Sequence, residues 1–147
     1  MKSRTSLVIA IGLLLIGIVL FAFSTRDQKT AQILPAAIKR NCAPWDGAAF
    51  TVTIPLDNGD VIDVSIWQSP DIKYPVTFSF PDQSGKIGNA VHRSATDEYE
   101  MLSGMVSFQR VEEGQPVEGK FELVSETGKQ FKGRFKADWG NQIIMCG

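Results

Sequence analysis

From Ala48 onward the apolar residues of this 147-residue chain recur at every second position, and that period constrains the fold more than anything else in it. Phe50, Val52 and Ile54 alternate with Thr51 and Thr53, and Ile62, Val64 and Ile66 alternate with Asp63 and Ser65. Successive side chains point to opposite faces on a strand but recur every 3.6 residues on a helix, so each run predicts a strand with one buried face. Asn58-Gly59 in the intervening "LDNGD" invites a two-residue turn. That register would set Val52 against Ser65 and Ile54 against Asp63. A three-residue loop, Asp57-Asn58-Gly59, instead sets Ile54 opposite Ile62, Val52 opposite Val64 and Phe50 opposite Ile66. A one-residue slip turns every side chain over, so the second register is expected, with Gly59 left-handed.

A second hairpin is written in "VEGKFEL" and "FKGRFKA", separated by "SETGK". A loop at Glu126-Thr127-Gly128 sets Phe121 opposite Gly133 and Phe135 opposite Gly119, each ring covering bare glycine backbone. Glu118 then meets Lys136 and Glu122 meets Lys132, favourable cross-strand pairs, while Lys120 faces Arg134 at a small cost. Further strands are expected at "YPVTFSF", with Val76, Phe78 and Phe80 on one face, and at "MLSGMVSFQRV", with Leu102, Val106 and Phe108 inward. A short strand at Ala90 to Arg93 and a last one in "ADWGNQIIMC" complete the set. Seven to eight short antiparallel strands with glycine turns define an all-β domain, a small sandwich or barrel. The pattern does not separate the two.

The first third of the chain is different. "LVIAIGLLLIGIVLFAF", Leu7 to Phe23, is seventeen residues without a charge. As a helix it spans roughly 26 Å, just short of the roughly 30 Å hydrocarbon core of a bilayer. Lys2 and Arg4 precede it, which keeps residues 1–6 cytoplasmic and sends the rest across. The expected organisation is a cytoplasmic N-terminus (1–6), a transmembrane signal-anchor helix (7–23), a stalk (24–41) and an extracytoplasmic β-domain (42–147). A cleaved signal peptide is the alternative, with Ala22 and Ser24 as the small pair before a cut at Thr25. Either way the domain is exported, to the periplasm or the cell exterior. After Arg26 the chain carries twelve basic and sixteen acidic residues. That balance argues against nucleic acid and anionic headgroups as partners of the folded part.

Cys42 and Cys146 are the two cysteines, and they bracket the predicted domain. In an oxidising compartment the simplest reading is a disulfide that staples its two ends. Two cysteines and the single His92 fall short of the four ligands of a structural zinc site, and no metal or other cofactor is expected. A catalytic thiol wants a base and an electropositive surround, and "RNCAPWDG" offers only Lys39 and Arg40 nearby.

No catalytic set assembles in the sequence. His92 lies in "NAVHRSATDEYE" among hydroxyl and carboxylate residues, but without a nucleophile elbow, and is expected to be a solvated loop histidine. Asp97, Glu98, Glu100, Glu112 and Glu113 crowd into turns rather than forming the spaced pair of a glycosidase. The aspartates of "LDNGDVID" resemble part of a calcium loop, yet hairpin chemistry accounts for them. The three tryptophans are the best candidates for a binding surface. A Cys42–Cys146 bridge would draw Trp45 and Trp139 to one end of the domain, where both are expected to pack over it as a core plug. Trp67 instead falls on the outward face with Asp63 and Ser65, to anchor a partner or be covered by Pro81–Glu100. The expectation is therefore a non-enzymatic module, held in the membrane through residues 7–23, whose extracytoplasmic domain meets a protein or envelope component. The alternative is a released barrel that binds a small ligand or inhibits an enzyme.

Overall fold

The computed structural model describes residues 32–45, 47–67, 72–82, 84–141 and 144–146. The anchor and signal-peptide readings, which rest on residues 7–25, fall outside that set. Within it there are eight strands and no helix: β1 (Ile33–Cys42), β2 (Ala48–Pro55), β3 (Val61–Trp67), β4 (Val76–Phe80), β5 (Gly88–Arg93), β6 (Tyr99–Phe108), β7 (Val117–Ser125) and β8 (Gln130–Trp139). Seven of them pair in the cyclic order β6-β5-β3-β2-β1-β8-β7, closing back on β6, so the domain is a barrel and not a sandwich. All neighbours are antiparallel except β1 and β8, which run parallel from Ile33↔Arg134 to Ile38↔Trp139.

The eighth strand, β4, shares an edge of β6 with β5. Residues Tyr99–Met101 of β6 pair with β5, and Gly104–Phe108 pair with β4. The wall divides there because β6 is ten residues long and β5 only six. Gly104, where the β4 ladder ends, lets β6 lie close against β7. Its φ is 132°, and a Cβ at this position would collide with the Glu122 carbonyl of β7, so only glycine lets the strands approach this closely.

Inward positions fill the barrel. Ile38, Phe50, Val52, Ile54, Ile62, Val64, Ile66, Leu102, Val106, Phe108 and Phe135 are all essentially fully buried. Each such large apolar side chain contributes roughly 1.5–3 kcal/mol relative to exposure. Phe108 is the hub, edge-to-face with Phe50 (5.5 Å), Phe135 (5.7 Å) and Phe78 (5.9 Å), an arrangement that suits the ring quadrupoles.

Both hairpin registers follow the apolar pattern. Ile54↔Ile62, Val52↔Val64 and Phe50↔Ile66 are paired, and Gly59 is left-handed at φ 85°. In the second hairpin Phe121 faces Gly133 and Phe135 faces Gly119, close enough that each ring occupies the space a Cβ would need.

Two expectations are corrected. Residues 33–41, read as the end of a stalk, form most of β1, which is paired on both sides. Leu34, Ala36 and Ile38 do alternate inward, but Pro35 and the small alanines mute the signal. Pro35 is tolerated because it pairs only with β8, below the point where β2 joins at Ala37. The C-terminal correction concerns Cys146. The last strand ends at Trp139, and the described residues beyond it are irregular, so the bridge fastens a tail rather than a strand.

Candidate functional site

At one end of the barrel Cys42, the last residue of β1, is disulfide-bonded to Cys146 with the Cα atoms 5.6 Å apart. Just beyond Cys42, a hydrogen bond from the Ala43 N–H to the Gly47 carbonyl (2.7 Å) closes the tight loop that carries Trp45. The Trp45 ring stands edge-on to Trp67, centroids 5.1 Å apart, and remains 52% exposed. Trp67 lies on the outer face of β3, as its register requires. Trp139 is separate. It is the last inward residue of β8, packs against the core, and donates from Nε1 to the Glu112 carbonyl (2.9 Å) in the β6–β7 loop. Arg40, on the inward row of β1, reaches the same loop through an ion pair with Glu113. Between loop and tail lies a cleft of about 280 Å³ walled by Arg40, Asn41, Val111, Trp139, Ile144 and Cys146. The fold thus brings Trp45 to Trp67 and sets Trp139 in the barrel mouth beside the bridge.

The opposite end is polar. Asp60, His92, Glu100 and Ser125 occupy the last inward positions at the margins of β3, β5, β6 and β7, around Phe131 of β8. His92, only 8% exposed, bonds Asp60 Oδ2 through Nε2 (2.9 Å), and its Nδ1 lies 3.8 Å from Glu100. Its ring stacks against Phe131 at 5.0 Å, and Lys129 sits 5.0 Å over the other partner of that stack. Asp60 also accepts from Asn58 Nδ2 (2.6 Å) and the Ala95 N–H (3.1 Å). The Asn58 amide first, then His92, hold the Asp60 carboxyl at about 2, well below the usual carboxylate range. Glu100 is lowered as well, chiefly by the Thr127 N–H. The Thr127 hydroxyl bonds both Glu100 (3.3 Å) and Ser125 (2.7 Å).

His92 is therefore not the solvated loop residue expected from sequence. Its strand continues the alternation Ala90, His92, which turns the imidazole inward at the rim. The partner, Asp60, was read only as turn chemistry, and nothing in the local sequence joins two residues 32 positions apart. Among the described residues no hydroxyl bonds the imidazole, and Ser125 and Thr127 are engaged with each other and with Glu100. The acidic turn residues have similar commitments: Glu112 to Arg110 (2.7 Å), Glu113 to Arg40, and Asp97 to Arg93 (3.6 Å). No group of three His, Cys, Asp or Glu side chains among the described residues converges as metal ligands would. These are contacts that rigidify two barrel ends.

Compared with family models, with curated proteins and with solved structures, the chain finds no match in any of the three.

Proposed function

We propose that the protein is a membrane-anchored interaction module without enzymatic activity, tethered by residues 7–23, whose extracytoplasmic barrel meets a protein partner through the Trp45–Trp67 face. The observation that carries this reading is the half-exposed Trp45 ring, set edge-on to Trp67 and mounted on a short loop beside the disulfide. Rigid exposed aromatics supply large contact area at little ordering cost, which is why they dominate interface energetics. The core favours this over a ligand carrier. Barrels that hold ligands keep an interior chamber, whereas Phe50, Phe108, Phe121 and Phe135 fill this one.

The test is capture by the full chain from cross-linked membranes of its host. A partner retained by the wild type is expected to be depleted about tenfold or more by Trp45→Ala, with the bridge intact, as for an interface anchor. Intact-mass measurement of the membrane fraction is expected to find residues 1–31 still attached. A soluble product cut near Thr25 would favour the released barrel, and equal capture by Trp45→Ala would remove this face from consideration.

A further inference from the structure

Away from the tryptophans, the outward row of β6 reads Tyr99, Met101, Ser103, Met105, Ser107. Tyr99 is 70% exposed, Met101 51% and Met105 50%. Val91 of β5 lies opposite Met101, and Val124 of β7 opposite Ser103, which widens the apolar stripe. Methionine and tyrosine presented together are typical of interface cores and uncommon on surfaces meant to stay wet.

Beside the stripe, Thr77, Met105, Ser107, Lys120 and Glu122 line a cleft of about 190 Å³. Ser107 Oγ is buried there without a hydrogen-bond partner among the described residues. Lys120, directly opposite Ser107 in register, has no ion pair among the described residues, and neither does Glu126. Their neighbours do: Glu122 binds Lys132 (3.0 Å) and Glu118 approaches Lys136 (3.9 Å).

We propose that this face is occupied by a second copy of the chain, related by a two-fold axis that crosses the strands at the paired residues Gly104 and Leu123. The outward row of β6 is self-complementary about that level. Met101 lies three positions before Gly104 and Ser107 three after; Ser103 lies one before and Met105 one after. Each long methionine thus lands over a small serine of the other copy. Lys120 of β7 and Glu126, the exposed first residue of the turn after it, lie three positions either side of Leu123, so each lysine faces the turn glutamate of the other copy. An isologous contact repeats every such pair twice. The exposed stripe is narrow beside the roughly 800 Å² per partner of a standard interface, so the dimer is expected to be reversible.

The experiment uses the full chain in cells with a short bismaleimide crosslinker, since packed sheets bring facing positions within about 10 Å. Ser103→Cys is expected to give a band of twice the chain mass at about five times the yield of Ala37→Cys on the far wall. In the Ser103→Cys background, Lys120→Glu or Glu126→Lys should lower the yield to the Ala37→Cys level, and the two together should restore it. Equal yields at positions 103 and 37 would overturn the proposal, as would singles without effect or a double swap that restores nothing. A crosslinked band of any other mass would assign the face to a foreign protein instead.

Discussion

Asp60 accepts three hydrogen bonds at the rim of the barrel, and each one favours its ionised form. Its folded value of about 2 lies below the unfolded carboxylate value of about 4. A depressed value means the contribution is complete above the unfolded value and is lost as pH falls through the folded one. The urea midpoint of the wild type should therefore decline between pH 4 and pH 2. Asp60→Asn should lower the midpoint at pH 7 and make that decline shallower, leaving the share due to Asp82, also held at about 2 by the Ser84 hydroxyl and nearby N–H groups. Little of this was legible in sequence. The face of His92 follows from counting by twos from Ala90, but its partner is a turn residue whose side chain folds back across the rim, and periodicity carries no information about turns.

Hairpins, by contrast, were readable to the residue because both strands and the turn are local. The glycine–phenylalanine exchange in β7 and β8 is the clearest case. Phe135 lies over Gly119, where an added Cβ would overlap the ring and also meet the Ser107 carbonyl. Gly119→Val should lower stability by about 1–3 kcal/mol, the usual cost of overpacking, and a urea titration by tryptophan fluorescence will show it as a shifted midpoint with unchanged slope. Gly128→Ala meets no neighbour, yet at φ 85° it should cost about 1–2 kcal/mol through backbone strain alone. β1 escaped detection for the complementary reason. β2 follows it closely, but its other partner begins at Arg134, far away in sequence, and its inward row includes Ala36 and Arg40, which do not announce a buried strand face.

For the molecule as a whole, the choice between sandwich and barrel turned on two ladders, β6–β7 and β1–β8. The first is a local return, but closure needs the second, which joins the two ends of the domain and has no sequence signature beyond the cysteines that flank it. The bridge spans 104 residues, so in the chain-entropy model it contributes up to about 4–5 kcal/mol. Reduction, or Cys42→Ser with Cys146→Ser, should lower the urea midpoint toward that limit. It should also redden Trp139 fluorescence before global unfolding, because the tail that helps wall its cleft is released.

The parallel pairing of β1 with β8 also sets a timetable for synthesis. Ile33 leaves the ribosome 101 residues ahead of its mate Arg134. At about 5–20 residues per second, the nascent chain waits roughly 5–20 s with one margin of its first strand bare. During that interval β2 can cover only the other margin. The ring cannot shut until β8 has been made, so any chaperone that attends this chain has its work concentrated on the opening ten residues of the domain.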